Sequence, residues 1–347
     1  MDKSKVNICV IGTGRAGMIH AANFARSVDK ARLTAIVEND EGRKRTVISE
    51  LNLGKGYSAW QDAIDDDGID AIIVATPTKL HCPIVMAAAK AGKHILCEKP
   101  LAANVAECEA MLKVVSESKV KLQVGFMRRY DASFMAAKAR IEEGEIGDVV
   151  LVKSLTHGPS IPLPWMLDVK HSNGPLAEVS SHDIDSLRWF TGSEYTEVYA
   201  IGSNYRCRDV REEYPDFYDN FIMTARFQNG MQGLIDGAMA VRYGYDSRVE
   251  ILGTRGILFV GTLKENTVLG CSEGSGMRQT IVKSWRTLFQ DAYLTEDIDF
   301  VKCILEDRGP KASGMDGMKA VEVVNAGNLS IKEQKPIKLE LYAGKGC

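Results

Sequence analysis

The chain has 347 residues, of which 45% are hydrophobic and 26% charged, and its formal net charge is −3. These values are typical of a globular protein with more than one domain, and they exclude the strongly basic surface that nucleic acid or an anionic membrane would require. No apolar run approaches the roughly 20 residues that a membrane span needs.

The first 122 residues alternate short strands with helices. Because the strands are almost continuously apolar, this alternation predicts a doubly wound parallel sheet with helices on both faces, an α/β domain that spans residues 1–122. Asn104, with Glu107 three residues later, is typical of a helix N-cap with a capping box. The predicted strands are Val6–Ile11, Leu33–Val37, Ala71–Ala75, His94–Cys97 and Val120–Val124, and the predicted helices are 15–26, 41–52, 80–90 and 104–118.

The pattern changes after Gly125, and residues 123–347 are predicted to form a second, α+β domain. Its strand-like alternation over 196–285, with a hairpin turn at Asn229-Gly230, favours an open-faced and mostly antiparallel sheet. A proline- and glycine-rich loop precedes a helix that carries His182. The other predicted elements are a helix at 130–143, a strand at 149–156, helices at 290–305 and 315–331, and a strand near 336–341.

A glycine pattern, Gly12-x-Gly14-x-x-Gly17, follows the first strand and opens the first helix. Glycines at this spacing let a dinucleotide approach the backbone, and the helix N-terminus offers free N–H groups to its phosphates. Glu38 ends the second strand, 21 residues after Gly17, where a carboxylate binds ribose hydroxyls and repels a 2′-phosphate. The sequence therefore predicts a Rossmann domain that binds NAD, while Arg43 and Arg45 leave NADP as the alternative.

Two further motifs carry chemistry. Glu98-Lys99-Pro100 closes a predicted strand, and Glu178, His182 and Asp185 are spaced i, i+4 and i+7, which predicts that they share one helix face. If the two domains dock there, a cation, an imidazole and two carboxylates meet in one cleft. With a nicotinamide, these groups are suited to removing a hydride and a proton from a secondary alcohol.

These residues together resemble the glucose–fructose oxidoreductase / inositol dehydrogenase family over nearly the whole chain. The resemblance implies a pyranose or cyclitol substrate between a Rossmann domain and an open-faced sheet domain. The segments that carry it are Gly12–Gly17, Ala75–Thr78 with His81, Ala91–Pro100, Gln123–Tyr130, Trp165 with Asp168, the His182 helix, Ala292-Tyr293 with Glu296, and Gly314–Gly317.

The resemblance also implies roles for individual residues. His182 matches the general base and Lys99 the lysine that contacts the substrate hydroxyl and the nicotinamide ribose. The residues expected to contact the cofactor are Gly12, Thr13, Gly14, Arg15, Ala16, Gly17, Glu38, Thr76, Pro77, His81, Glu98, Lys99 and Trp165. Those expected to contact the substrate are Lys99, Arg128, His157, Glu178, His182, Asp185 and Tyr293.

In the mechanism that these roles predict, His182 removes the hydroxyl proton while a hydride passes to the nicotinamide. An imidazole with a pKa near its reference value of about 6.5 suits this step at neutral pH, and Lys99 steadies the developing oxyanion. Glu178 and Asp185 hold ring hydroxyls or orient His182. No metal is expected, since hydride chemistry does not require one and the eight cysteines include no C-x-x-C pair.

The sequence leaves the substrate open among sugars, glycosides oxidised at ring carbon 3, and cyclitols. Two departures from the family pattern, Asn173-Gly174-Pro175 before the helix and Glu178 in place of an aspartate, favour a sugar or glycoside over myo-inositol. The competing functions are an NAD-dependent glycosidase, which uses transient oxidation to drive elimination, and a non-catalytic cofactor-binding relative. The charged and aromatic stretch 206–219 is either a solvated hairpin loop or a wall for a bulky substrate appendage.

An open sheet with one apolar face has to be covered, so we expect a homo-oligomer, either a dimer or a tetramer. The scattered cysteines without pairs are typical of reduced thiols, and we therefore expect a cytoplasmic protein.

Overall fold

The structure, a computed structural model, describes residues 5–274 and 276–339. Grouped by internal contacts, the chain forms two compact units: the residues up to Tyr130 together with Asp291–Val321, and Asp131–Gln290 together with the chain from Glu322 on. The predicted division has a single boundary after residue 122. In the contact grouping the chain instead passes between the units three times.

The described residues up to 130 contain six strands and five helices, apart from short 3₁₀ turns at Thr78–Leu80 and Met127–Tyr130. The strands are β1 (Val6–Ile11), β2 (Ala31–Val37), β3 (Gly56–Tyr57), β4 (Ala71–Val74), β5 (His94–Cys97) and β6 (Leu122–Val124). The helices are α1 (Gly17–Arg26), α2 (Glu41–Leu51), α3 (Trp60–Ile64), α4 (His81–Lys90) and α5 (Val105–Ser118).

The described residues after 130 contain nine more strands and eight more helices, with a 3₁₀ turn at Arg208–Val210. The strands are β7 (Val149–His157), β8 (Tyr195–Ser203), β9 (Asn220–Phe227), β10 (Gln232–Ala238), β11 (Asp246–Gly253), β12 (Ile257–Val260), β13 (Lys264–Ser272), β14 (Gly276–Ile281) and β15 (Ile337–Lys338). The helices are α6 (Ala132–Glu142), α7 (Pro164–Leu167), α8 (Val169–Ser172), α9 (Gly174–Glu178), α10 (Ser181–Thr191), α11 (Trp285–Leu288), α12 (Gln290–Leu305) and α13 (Gly314–Glu333).

The first unit is built on a parallel sheet with the strand order β3-β2-β1-β4-β5-β6. The central strands are buried on both faces, which explains their continuous apolar sequences. Phe300 and Val301 of α12 lie in the same buried cluster as Ile8 and Val10 of β1. This packing explains why a late segment joins the N-terminal unit, and it confirms the predicted doubly wound α/β fold.

A side-chain cap fixes the start of α5, as the sequence predicts. The Asn104 side chain accepts a hydrogen bond from the Glu107 amide at 2.9 Å, and the Glu107 carboxylate accepts one from the Ala103 amide at 3.2 Å, so the predicted N-cap is confirmed.

The prediction missed β3 and α3, which are too short to produce a visible period. Of the strand predicted near 336–341, β15 covers two residues, and residues 340 and 341 lie outside the described part of the chain.

The second unit is built on a mixed sheet with the order β12-β11-β7-β10-β9-β8-β15. Only β7 and β10 pair in parallel among its described strands, so the predicted mostly antiparallel sheet is confirmed. The Asn229-Gly230 turn joins β9 to β10, with Gly230 at a φ of +84°. Helix α10 lies against β7 on one face of this sheet.

Candidate active site

The turn between β1 and α1 requires glycine at two positions. Gly12 has a φ of +91°, and a Cβ there would lie 2.6 Å from the carbonyl oxygen of Ala75. A Cβ on Gly17 would lie 1.9 Å from the carbonyl oxygen of Gly12. At Gly14 a Cβ would meet none of the described atoms within 4 Å, which leaves room beside the backbone for a ligand. The turn, which also contains Thr13, Arg15 and Ala16, therefore fits a dinucleotide phosphate at the N-terminus of α1.

Glu38, at the end of β2, is held in place by hydrogen bonds. Its carboxylate accepts from the Thr13 hydroxyl at 2.5 Å and from the Asp40 amide at 3.1 Å. Burial alone would raise the pKa of Glu38, but these bonds and the nearby Arg43 charge outweigh it, and the pKa lies below its usual range. Glu38 is therefore a fixed, ionised acceptor, as recognition of ribose hydroxyls requires.

Arg43, which left NADP as the alternative cofactor, is an exposed residue of α2 that contacts the turn, and its role toward a 2′-phosphate stays a prediction. Its guanidinium donates to the Thr13 carbonyl, with Nε at 3.0 Å, and lies 3.5 Å from Glu38. The arginine thus braces the turn and the carboxylate that is predicted to bind the ribose.

We expect Glu38→Ala to raise the KM for NAD by about 10-fold or more, because hydrogen bonds to a charged acceptor contribute about 1.5–3 kcal/mol. The kcat at saturating NAD should change little, since Glu38 is remote from the reacting carbon in this assignment. Initial rates at varied NAD measure both quantities, and Glu41→Ala, an exposed residue at the start of α2, is the matched control. An unchanged KM would remove Glu38 from the ribose site.

His81 joins the loop after β4 to the segment after β5. One ring nitrogen lies 2.9 Å from the Pro100 carbonyl oxygen and the other 2.9 Å from that of Thr76. Burial lowers the pKa of His81 more than these carbonyls raise it, so the ring is neutral and donates to one of them. The structure therefore ties Thr76 and Pro77 to the strand end that carries Lys99, while His81 itself is an internal support.

Glu98 and Lys99 directly follow β5, and Lys99 is half-buried while Glu98 is buried. One Glu98 oxygen accepts from the Lys99 amide at 3.1 Å, and the other lies 3.2 Å from Nε2 of His20. Both oxygens of Glu98 are thus engaged by protein groups. Glu98 therefore supports the segment that carries Lys99, and its predicted place beside the ribose stays a prediction.

A second buried carboxyl, Glu296 on α12, is fully inaccessible, and neither of its side-chain oxygens has a hydrogen-bond partner among the described residues. Burial, reinforced by the nearby Glu98 charge, raises the pKa of Glu296 well above its usual range. The carboxyl is therefore neutral at pH 7, because an unpaired buried charge is far more costly than a buried proton.

This protonation has a measurable consequence for stability. In the unfolded chain a glutamate ionises near pH 4.3, so the raised pKa of folded Glu296 makes stability fall as the pH rises above that value. Glu296→Gln removes this dependence. The Tm of the variant minus the Tm of wild type should therefore increase as the pH is raised from 5 to 8. Thermal unfolding at several pH values tests this, with the exposed Glu117→Gln as control. Parallel curves for wild type and Glu296→Gln would contradict a neutral Glu296.

In the second unit, α10 is fixed to the sheet by a buried aspartate that the sequence analysis missed. Asp183 accepts from the Ser154 hydroxyl at 2.5 Å and from the Thr156 hydroxyl at 2.9 Å, both on β7. The signal available in the sequence was the pair of hydroxyl residues, Ser154 and Thr156, that alternate on β7 and therefore face the same side of the sheet. The neighbouring residues His182 and Asp185 are buried on the same helix, with exposed fractions of 7% and 2%.

The three residues predicted to share one helix face do not share one helix. Glu178 is the last residue of α9, and α10 begins at Ser181. The Ser181 hydroxyl donates to the Ala177 carbonyl, which a continuous helix would pair with the amide of residue 181. The predicted common face is therefore corrected to His182 and Asp185, three residues apart on α10, with half-buried Glu178 on the preceding helix.

His157 is not brought to the His182 side of the sheet. Ser154 and Thr156 point toward α10, and the alternation of a strand places His157 on the opposite face. Its ring contacts Asp236 at 3.1 Å and the Tyr243 hydroxyl at 2.6 Å. The substrate role of His157 stays a prediction.

The remaining predicted contacts are placed as follows. Trp165 lies on the short helix α7 with 42% of its surface exposed, which suits a residue that covers a ligand. Arg128 and Tyr293 are both buried in the first unit. The Tyr293 ring packs edge-on against His20 at a centroid distance of 5.5 Å. The substrate roles of Arg128 and Tyr293 and the cofactor role of Trp165 stay predictions.

The unusual Asn173-Gly174-Pro175 segment forms a tight turn with both Asn173 and Gly174 at positive φ. The Asn328 side chain donates to the Asn173 carbonyl at 2.9 Å. The Tyr218 hydroxyl accepts from the Leu176 amide at 3.2 Å and donates to Asn328 at 2.6 Å. The positive φ angles suit Asn and Gly, and these bonds fix the main chain of the turn within this unit.

The stretch 206–219 connects the antiparallel neighbours β8 and β9, and most of its charged side chains are exposed, which agrees with the predicted solvated hairpin loop. Part of the stretch is nevertheless buried. Cys207 and Phe217 pack in a buried cluster with Leu167, and the Asp219 carboxylate accepts from three successive amides, those of residues 205–207. The stretch therefore backs the α7–α8 segment.

In the described part of the chain, no group of three or more His, Cys, Asp or Glu side chains is arranged to hold a metal ion. Among the same residues, no helix combines the length and the apolar character that crossing a membrane demands.

Comparison with known proteins accounts for both halves of the chain. Residues 6–126 match the family described as an oxidoreductase family with an NAD-binding Rossmann fold. Residues 138–339 match the C-terminal alpha/beta domain of the same oxidoreductase family.

Similar proteins match over the full length. The chain is 33% identical to a myo-inositol 2-dehydrogenase of Thermotoga maritima, covering 98% of this chain and 100% of the relative. It is 34% identical to an NAD⁺-dependent scyllo-inositol 2-dehydrogenase of Bacillus subtilis, covering 97% of each. The structure of scyllo-inositol dehydrogenase from Lactobacillus casei, with bound NAD(H) and scyllo-inositol, superposes with a TM-score of 0.89 at 27% identity and covers 96% of this chain and 99% of that one. The chain therefore belongs to the glucose–fructose oxidoreductase / inositol dehydrogenase family and is an NAD-binding oxidoreductase that acts on CH–OH groups.

Proposed function

We propose that this protein is an NAD-dependent dehydrogenase that oxidises one secondary ring hydroxyl of a cyclitol, an inositol or a close analogue, to a ketone. The observation that carries the proposal is the full-length similarity to two dehydrogenases named for inositols. The departure at Asn173-Gly174-Pro175 carries less weight for a sugar or glycoside, because the positive φ angles of Asn173 and Gly174 suit these residue types. Glu178 remains the residue through which the substrate could differ.

In the proposed mechanism, His182 accepts the proton of the reacting hydroxyl as a general base. Lys99 donates a hydrogen bond to the same oxygen and stabilises the negative charge that grows on it. Asp185 and Glu178 bind neighbouring ring hydroxyls, because carboxylates pair well with hydroxyl donors. NAD, when bound, supplies the hydride acceptor.

The geometry of each half supports these roles separately. Asp183 anchors α10 to β7, so His182 and Asp185 are carried by a fixed helix, which a general base needs. Lys99 follows a buried strand whose end is bonded through Glu98 and His81. Reactive groups on well-supported elements lose little freedom when substrate binds.

The test is NADH formation by the purified protein with NAD and a panel of myo-inositol, scyllo-inositol, free hexoses and glycosides. Products are examined for a new keto group and for released aglycone. Turnover of one or more inositols, with little on hexoses and glycosides, is the expected result. Turnover confined to glycosides or hexoses would overturn the cyclitol assignment while leaving the reaction class intact.

The same panel separates the competing functions. An NAD-dependent glycosidase would release aglycone without net NADH, whereas a non-catalytic relative would bind NAD and form neither product. If no NADH appears, a second carbonyl acceptor is added, since its reduction would reveal a cofactor that is retained and recycled.

We also propose that the protein is a homo-oligomer, formed through the sheet face that points away from α10. Four large apolar side chains on that face, in β12, β11, β9 and β8, are at least 41% exposed: Phe259, Leu252, Ile222 and Ile201. Ile222 and Ile201 are direct partners across β9 and β8. An apolar patch of this kind on a sheet is typical of an interface.

Light scattering of Phe259→Glu and Ile201→Glu tests the interface. We expect the oligomers of both variants to dissociate into smaller species. Val268→Glu, on the exposed hairpin of β13 and β14, should keep the oligomer mass of wild type. A monomeric wild type, or oligomers unaffected by both sheet variants, would contradict the proposed interface.

A further inference from the structure

His20 on α1 is completely buried between two carboxylates. Its Nδ1 lies 2.7 Å from an oxygen of Asp297, and its Nε2 lies 3.2 Å from an oxygen of Glu98. An ionised carboxylate only accepts hydrogen bonds, and a neutral imidazole has only one N–H. When both carboxyl groups are ionised, both contacts are satisfied together only if His20 is an imidazolium. Although burial lowers the pKa of His20, the two carboxylates outweigh it and raise that pKa well above the usual range.

The groups around His20 are compatible with a positively charged imidazolium at this position. The ring of Tyr293 packs edge-on against it, and Asp297 is further held by the Asn23 side-chain amide at 2.8 Å. A further buried carboxyl, Glu296, interacts electrostatically with His20, and burial favours its neutral form. Without the positive charge, two buried carboxylates would face each other uncompensated, which is strongly unfavourable.

The network continues from His20 to the lysine. The second oxygen of Glu98 accepts from the Lys99 amide at 3.1 Å. Gly125 packs directly against the same oxygen of Glu98, since a Cβ on Gly125 would lie only 2.9 Å from it. The Glu98 carboxylate is thus held on three sides, and its orientation sets the main chain at Lys99.

We propose that His20 is a positioning residue for Lys99: clamped between Asp297 and Glu98, its imidazolium fixes the Glu98 carboxylate and, through it, the main chain that presents the Lys99 ammonium to the substrate hydroxyl. The proposal rests on the function proposed above for Lys99. Nothing in the sequence motif around His20 indicates this, because Asp297 is 277 residues away. The charge state of His20 and its coupling to Lys99 can be measured separately.

The first test is independent of activity. In NAD-free protein labelled with ¹⁵N, the His20 ring signals are assigned by their absence from His20→Gln. We expect both ring nitrogens to be protonated at pH 8, where an ordinary histidine is neutral. A neutral His20 at pH 7 would overturn the proposal.

The second test measures coupling through a double-mutant cycle. Because a misplacement of about 1 Å can reduce turnover about 100-fold, His20→Gln should lower kcat about 10- to 100-fold while the Kd for NAD stays within about twofold. In a Lys99→Met background the same change should cost less than about threefold, since it acts through the missing ammonium. Equal losses in both backgrounds would overturn the proposal. His94→Gln, a half-buried histidine at the start of β5 outside this network, should retain wild-type kcat.

A second variant covers the case in which His20→Gln fails to fold. Asp297→Asn keeps the shape but removes one carboxylate charge, so the pKa of His20 should fall. The kcat of Asp297→Asn should then decline at alkaline pH, at a pH where wild type still holds its plateau. A pH profile identical to that of wild type would contradict the positioning role.

A third readout distinguishes failure of this inference from failure of the proposed function. If the wild type oxidises no cyclitol, the acylation rate of Lys99 in NAD-free protein is measured by peptide mass spectrometry. We expect His20→Gln to change that rate at least about threefold, with other lysines unaffected, because the ammonium is displaced. An unchanged Lys99 rate would overturn the inference whatever the substrate.

Discussion

His182→Ala is expected to lower kcat at least about 100-fold, because a positioned general base contributes about 10²–10⁴-fold to a proton transfer. The Kd for NAD should stay within about twofold of wild type, because the glycine turn and Glu38 belong to the other compact unit. Initial rates with the best substrate of the panel give kcat, and quenching of protein fluorescence on titration with NAD gives the Kd.

The control for this prediction is His171→Ala. His171 is exposed on α8 and paired with Asp168 at 2.6 Å, so its removal should leave kcat near the wild-type value. Equal losses of NAD binding and turnover in His182→Ala would contradict a role as base and indicate a disturbed fold. Thermal unfolding of both variants distinguishes the two, since α10 remains anchored through Asp183 in the absence of the imidazole.

Gly17→Ala is expected to have the largest effect on stability. The new Cβ would lie 1.9 Å from the Gly12 carbonyl oxygen, and a main-chain atom cannot rotate away as a flexible side chain can. Overpacking of this kind costs about 1–3 kcal/mol and occasionally more, so we expect the free energy of unfolding to fall by at least about 3 kcal/mol. NAD binding should also be lost, because the clash between the new Cβ and the Gly12 carbonyl can be relieved only if the phosphate-binding turn moves.

Gly14→Ala, three residues earlier in the same turn, is the matched control. Its Cβ meets none of the described atoms within 4 Å, so the free energy of unfolding should change by less than about 0.5 kcal/mol. NAD affinity should nonetheless weaken, since the space beside Gly14 is the space assigned to the phosphates. Urea denaturation and NAD titration of the two variants measure both effects. Wild-type stability in Gly17→Ala would contradict the tight turn.

The sequence alone was sufficient for the parts of the protein that are set by local chemistry. The glycine spacing from Gly12 to Gly17, the acid at Glu38 and the apolar strands before them predict a dinucleotide fold, because each depends on residues near in sequence. The Asn104 cap and the Asn229-Gly230 hairpin follow for the same reason. Most long helices therefore begin and end within a few residues of their predicted limits.

The tertiary structure decided whatever depends on residues distant in sequence or on small changes in backbone direction. Spacing predicted one helix through Glu178 and His182, but the Ser181 hydroxyl competes for the carbonyl that such a helix needs. The family resemblance groups His157 with the substrate residues, and only the contacts of Ser154 and Thr156 with α10 show that His157 lies on the opposite face of the sheet. The return of Asp291–Val321 to the first unit, with Asp297 beside His20, has no counterpart in any local pattern. Local interactions are encoded in neighbouring residues, whereas burial and long-range pairing emerge only when the whole chain is packed.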